Sequence, residues 1–299
     1  MADDETCSSC SRAFDEDPGG TASRQRHWLL IEQPGAWGPN ALLESKLPET
    51  VARTVAARAR RANVRVLLLR RDAAPRDPAE PRIWRFVRVT PADPVIGGGT
   101  FTDPHDLAEL DLVGLADGSV PVPDEGAGPL VAVCTHGRHD RCCADHGRPV
   151  ARALREAGVD AWECSHVGGD RFAANMVSFP HGLYHGRVSP ETAPAVVEAY
   201  REGRIHPEGF RGRATWSPAA QKAEMLLRHE LDDWRVEALA LGPHDVDGPR
   251  HTIEFTHADG SRHEVVVDIG RDERPRVLSC GNGPEAPRTI SLSSIRRLG

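Results

Sequence analysis

No stretch of this chain is long and apolar enough to cross a bilayer. Its most apolar short run, "VRVLLL" over Val64–Leu69, contains Arg65 and falls far below the ~18 residues a span requires. An excess of positive charge is missing too: the formal net charge is -7, so there is no electrostatic reason to expect nucleic acid. Lysine is nearly absent, and arginine carries almost all of the basic charge. The opening "MADDETCSSC" is acidic and lacks the charged-then-apolar order of a secretion signal, which makes the cytoplasm the expected compartment. Reducing thiol pools there keep disulfides open, so seven cysteines do not read as a disulfide framework, and an odd count fits complete pairing no better. No tandem repeat and no low-complexity tract is visible in the sequence.

What is present is an ordinary soluble composition, 39% hydrophobic and 27% charged. At 299 residues the chain exceeds one minimal core, and two or three modules are expected. Residues 1–23 are polar, with Pro18, Gly19 and Gly20, and read as a flexible arm. An N-terminal α/β module follows over 24–114. It comprises a strand at "HWLLIEQ", a helix opened by Pro48, and two further strands at "VRVLLLRR" and "RIWRFVRV". The Gly, Pro and acid-rich 115–129 reads as a linker.

The central module, 130–208, runs straight from the strand "LVAV" into Cys134. A helix is expected at "PVARALREAG", with Pro149 near its start, then strands at "DAWECSH", "FAANMVSF" and "LYHGRV", and a helix over Ser189–Gly203. A β-α-β-β-α order is that of a thioredoxin-like layer. Over 209–299 a helix at Ser217–Leu231 and two alternating runs about an "ADGS" turn predict a C-terminal α+β module.

Chemistry concentrates in two segments, "CTHGRHDRCC" (134–143) and "CSHVGGDRFAAN" (164–175). Side chains alternate along a strand, so Cys164 and His166 share one face, and the reversal allowed by Gly168 and Gly169 can return Asp170 beside His166. Cys142 and Cys143 fall in the loop before a helix N-terminus, where thiolates are favoured. Adjacent strand ends share a crevice in α/β sheets, so the chain offers a cysteine pair and a His/Asp pair to one site. Three occupants remain open, in this order. An iron–sulfur cluster tolerates wide ligand spacing and accepts histidine on one iron. Reactive thiols would use Cys134 with Cys142 or Cys143 as a thiol-dependent oxidoreductase. Structural zinc usually takes closer cysteine pairs than Cys134 and Cys142 or Cys143 provide.

Taken together, "CTHGRHDRCC", "CSHVGGDRFAAN" and "GLYHGRVSPE" resemble the signature of the sucrase/ferredoxin-like family. The early "GTASRQRHWLLIEQPGAWG" and the late "VLSCGNG" are similar to it as well, so the resemblance spans most of the chain. It implies a thioredoxin-like ferredoxin domain with one [2Fe-2S] cluster, acting as an electron carrier toward an unidentified redox partner protein rather than as an enzyme. On this resemblance the ligands are Cys134 and Cys143 with His166 and position 170. Members with His-x3-His carry histidine at that last position; this chain has Asp170, a harder and more anionic group expected to lower the potential. Cys164 and Cys280 are the other candidates for the fourth place. A non-catalytic thioredoxin-like or zinc-binding scaffold is the remaining alternative.

Several residues have blander readings. Asp170 can pair with Arg171 or Arg187, or cap the turn. Cys142 reads as a spectator beside Cys143. His136, His139 and Asp140 read as solvated loop, with hydrogen bonding to the ligands as the sharper possibility, which Arg171 and Asn175 share. Cys7 and Cys10 form a Cys-x-x-Cys to which no function is assigned. The family name hints at sucrose hydrolysis, but no pair of catalytic carboxylates stands out.

Overall fold

The computed structural model describes residues 6–71, 77, 79–91, 93–124 and 127–298. It opens with helix α1 (Cys7–Ala13), then β1 (His27–Glu32), α2 (Glu49–Arg61), β2 (Val64–Arg70), β3 (Arg82–Arg88) and β4 (Val95–Phe101). Two short helices, α3 (Asp106–Glu109) and α4 (Leu112–Asp117), lead to β5 (Leu130–Cys134), α5 (Arg141–Glu156), β6 (Ala161–Cys164), β7 (Met176–Phe179), β8 (Leu183–His185) and α6 (Ala193–Arg201). After β9 (Phe210–Arg213) and α7 (Pro218–Leu231) come β10 (Leu239–Asp247), β11 (Arg250–His257), β12 (Arg262–Arg271), β13 (Arg276–Val277), β14 (Pro284–Glu285) and β15 (Arg288–Arg297).

Both α/β segments contribute to one nine-stranded sheet, ordered β4-β3-β1-β2-β6-β5-β7-β8-β9. In the second half β5 is parallel to β6 and antiparallel to β7, which pairs antiparallel with β8. This connectivity, with α5 crossing between the parallel strands, is the thioredoxin-like arrangement expected for residues 130–208. The first half repeats it: β1 is parallel to β2 and antiparallel to β3, and β3 is antiparallel to β4. The duplication lies in topology and has no visible trace in the sequence. The halves join where β2 meets β6, through the pairs Leu69–Cys164 and Arg70–Glu163.

The strands form where the pattern says they should. Central β1 and β5 are covered on both faces and read as near-continuous apolar runs. Helix α2 buries Val51, Ala52, Val55 and Ala59 on one face and keeps its arginines outside. In the C-terminal α+β module, α7 lays Ala219, Ala223 and Leu227 against Ile253, Phe255, Val265 and Val267 of a four-stranded antiparallel sheet.

Three expectations need correction. Residues 7–23 are not a loose arm: Thr6 and Ser9 cap α1 reciprocally, Cys7 and Cys10 are buried, and Arg187 donates to the Ser11 and Glu16 carbonyls. Residues 1–5 lie outside the described residues. The expected linker begins inside α4, whose Leu115 is buried, and Pro123 O accepts from Gly98 N–H at the sheet edge; residues 125 and 126 lie outside the described residues. Helix α5 starts at Arg141, eight residues before Pro149, because the Asp140 side chain accepts from Cys142 N–H and caps it. Proline's preference for a first turn pointed to the wrong start, since Pro149 is tolerated inside the helix. Cys142 and Cys143 therefore occupy the first turn of α5, not the loop before it.

Candidate metal centre

Parallel β5 and β6 end side by side, with Cys134 opposite Cys164. A short loop, 135–140, returns the chain from Cys134 to the start of α5. Gly147 lets that helix lie close: a Cβ there would sit 2.0 Å from the Cys134 carbonyl oxygen. The first turn of α5 thus lies over the strand end, and Cys143 joins Cys134 in the interior.

The second segment reverses at Gly168 and Gly169, both at positive φ, and leads into a 3-10 turn over Asp170–Phe172. Buried Arg211 on β9 holds this reversal. It donates to Gly168 O at 2.9 Å, Asn175 Oδ1 at 2.7 Å and Thr21 O at 2.6 Å. Asn175 in turn donates to Gly169 O at 2.9 Å, so it fixes the turn and not a ligand. Arg211 escaped the sequence reading because an arginine within a short strand carries no local signal.

The reversal brings Asp170 back to His166 and Cys143. Asp170 Oδ1 lies 2.9 Å from His166 Nδ1 and accepts from Cys143 Sγ at 3.2 Å. The Cys134 and Cys143 sulfurs and a His166 ring nitrogen lie within 4.8 Å of one another. Cys134, Cys143, His166 and Asp170 therefore share one site, buried except for the edge of His166. Asp170 pairs with neither arginine considered for it: Arg171 binds Glu16 at 2.9 Å, and Arg187 turns to Ser11 and Glu16.

Electrostatics prepare these groups for a cation. Burial alone would lower the His166 imidazole, but the hydrogen bonds of Asp170 and Cys134 outweigh it and carry it up to about 9. Burial would raise Asp170, yet the bond and charge of His166, with Cys143 and Ser279, bring it down to about 2. The Cys143 hydrogen bond holds Cys134 well below the usual thiol range, and His166 adds to this. Cys143 is pushed up by the same bond to Cys134 and by burial. Two sulfurs, an imidazole nitrogen and a carboxylate oxygen form a donor set that suits a thiophilic metal or an iron–sulfur cluster.

Histidines line the way out. His139 stacks on His166 at 3.7 Å between ring centroids, and His136 lies 5.7 Å beyond His139. His136 Nδ1 accepts from His166 N–H at 3.3 Å, so its Nε2 carries the proton and donates to Gly38 O at 2.8 Å. A cleft of about 470 Å³ opens over His136, His139 and His166, walled by Leu42, Leu43 and Arg60 from the first half of the sheet.

Neither alternative fourth ligand joins this set. Cys164 lies in the apolar core, its thiol pushed up by burial. Cys280, on the loop between β13 and β14, gathers instead with Cys7, Cys142 and Asp140. Cys142 belongs to that second group and stays outside the Cys134 and Cys143 set. Ser279 donates to Asp140 Oδ2 at 3.1 Å and to Asp170 Oδ2 at 3.0 Å, joining the two groups. Among the described residues no helix is long and apolar enough to cross a membrane.

A sequence model of the sucrase/ferredoxin-like family matches residues 18–212. Curated relatives include two yeast proteins called altered inheritance of mitochondria protein 32. That of Meyerozyma guilliermondii is 30% identical over 95 residues, 28% of this chain and 34% of the relative. That of Clavispora lusitaniae is 34% identical over 97 residues, 28% of this chain and 34% of the relative. The match thus spans about a third of the length of these relatives. Among solved structures, a cysteine-to-serine variant of the thioredoxin-like [2Fe-2S] ferredoxin from Aquifex aeolicus matches 25% of this chain with 89% of its own. The two are 21% identical, with a TM-score of 0.22.

Proposed function

Since this chain belongs to the sucrase/ferredoxin-like family, we propose that it is an electron carrier whose site holds one [2Fe-2S] cluster. Cys134, Cys143, His166 and Asp170 would hold it. Such a cluster supplies one-electron uptake and release without proton transfer to a substrate. The observation that carries the reading is that Cys134 and Cys143 of one segment meet a His166 ring nitrogen of the other within 4.8 Å, in one buried donor set.

The chain's own residues do the rest. Burial of Cys134, Cys143 and Asp170 keeps water from the cluster. Ser279 orients the Asp170 carboxylate by donating to its other oxygen. The His139 ring, stacked on His166, offers the short route to the surface at which an unidentified redox partner protein would dock.

Purification without air tests this: the protein should be brown, with about two irons and about two acid-labile sulfides per chain. Colourless, iron-free protein from cluster-competent cells would reject the proposal.

A second reading has one observation in its favour. The donors stand close enough together for a single tetrahedral ion, with Cys143 Sγ only 3.2 Å from Asp170 Oδ1. It predicts one metal per chain and no sulfide. A thiol oxidoreductase fits less well: Cys134 and Cys143 are both 0% exposed, and a substrate disulfide needs an accessible sulfur.

A further inference from the structure

Three cysteines far apart in the chain, Cys7, Cys142 and Cys280, meet around the Asp140 carboxylate. We infer that they form a second metal site, a closed tetrahedral zinc centre of three thiolates and one carboxylate oxygen, independent of the electron-carrier reading. Cys280 Sγ lies 3.6 Å from Cys142 Sγ and 3.6 Å from Cys7 Sγ. Cys7 Sγ lies 3.5 Å from Asp140 Oδ2 and 3.7 Å from Oδ1. With Zn–S near 2.3 Å and Zn–O near 2.1 Å, a tetrahedron requires sulfur pairs about 3.8 Å apart and sulfur–oxygen pairs about 3.6 Å apart. Three of the six edges already have about these lengths, and all four ligand atoms lie within 4.8 Å of one another. A disulfide would require sulfurs about 2.05 Å apart, so none of the three pairs is bonded.

The surroundings serve anionic ligands. Cys7 N–H points at Cys280 Sγ at 3.5 Å. Asp140 is held in place by Cys142 N–H at 2.9 Å, Cys280 N–H at 2.6 Å and the Ser279 hydroxyl at 3.1 Å. Zinc binding would displace the thiol protons to solvent, leaving three thiolates and a carboxylate around the ion. With Cys7 on α1, Cys142 on α5 and Cys280 between β13 and β14, the ion would tie both ends of the chain to the thioredoxin-like half. It would add a metal tether to a segment that Arg187 already holds. It is a structural site: the chain supplies all four donors, Cys7 and Cys142 are buried, and only Cys280 is partly exposed.

The test is elemental analysis of the full chain purified without air, with iron and zinc measured together. The expected result is about one zinc per chain beside the iron. In Cys7→Ser/Cys280→Ser zinc should fall at least about tenfold, while iron and visible absorption persist. Should that variant fail to fold, Cys280→His, which keeps a zinc donor, should retain zinc where Cys280→Ala loses it. Cobalt added to zinc-stripped protein should give the intense thiolate and tetrahedral bands in the native chain and not in Cys280→Ala. Zinc absent from native protein, zinc unaffected by the double substitution, or peptide mapping that finds two of these cysteines as a disulfide would each overturn the inference. Colourless protein whose zinc is lost in Cys7→Ser/Cys280→Ser would defeat the cluster and leave this site standing.

Discussion

The two halves of the nine-stranded sheet share one connectivity and differ in what the strand ends carry. In the second half Cys134 pairs with Cys164; at the matching point in the first half Glu32 pairs with Leu69. The second half returns to its helix through a short loop capped by Asp140, and two cysteines fill the first turn. The first half takes a longer path, residues 33–48, that ends at Pro48 with no side-chain cap. No cysteine lies between residues 11 and 133. Topology therefore supplies a crevice twice, and chemistry only once. The loop length and the cap decide whether the helix start reaches the strand end.

The first half is not idle. Its long loop gives Gly38 O to His136 and sets Trp37 edge-on to the same ring at 6.0 Å, so it walls the opening of the other half's site. One half holds the donors and the other covers them.

Substitution separates those roles. Cys134→Ala should abolish iron binding and colour, whereas Leu69→Ala, at the position that matches Cys164, should cost about 2–5 kcal/mol of stability and leave the iron in place. Iron assay and urea unfolding read the two outcomes. The next effect concerns the seam. Glu163 binds Arg70 at 3.0 Å with both side chains only 6% exposed, and Arg155 reaches the same carboxylate. Glu163→Gln leaves a buried guanidinium without its counter-charge and should destabilise the sheet by about 3–5 kcal/mol in chemical denaturation.

Acid should weaken the second half through His185 on β8. Burial lowers its imidazole from 6.5 to about 4. The folded state binds its proton less readily than the unfolded chain, so stability is full above the unfolded value. It declines as pH falls from about 6.5 to about 4, by about 3 kcal/mol. His185→Gln should flatten that part of the pH–stability curve. The smallest effect is expected at Ser279, whose hydroxyl proton serves two carboxylates at once. Ser279→Ala should cost about 1 kcal/mol and weaken both metal sites without abolishing either, as metal titration would read.

Much of this was legible in the residues. Cys134, Cys143, His166 and Asp170 could be brought to one crevice because strand alternation and a Gly-Gly reversal are local rules, and the structure does bring them together. The start of α5 was misread because a proline signal and a capping aspartate competed, and the cap prevailed. The order of residues 7–23 was invisible because it comes from distant partners, Arg187, Arg276 and the 3-10 turn at Asp170. Arg211 and the Cys7–Cys142–Cys280 meeting were hidden for the same reason. The repeated topology left no sequence trace, since a shared strand order needs only a shared apolar pattern.

The claim that one cluster is held by sulfur from one segment and nitrogen from the other is tested most directly by pulsed electron paramagnetic resonance of the reduced protein. With histidine labelled by nitrogen-15, a coupling to a single imidazole nitrogen should appear, persist in His139→Ala and disappear in His166→Ala. A reduced protein with no paramagnetic signal, or with a nitrogen coupling indifferent to His166, would contradict it.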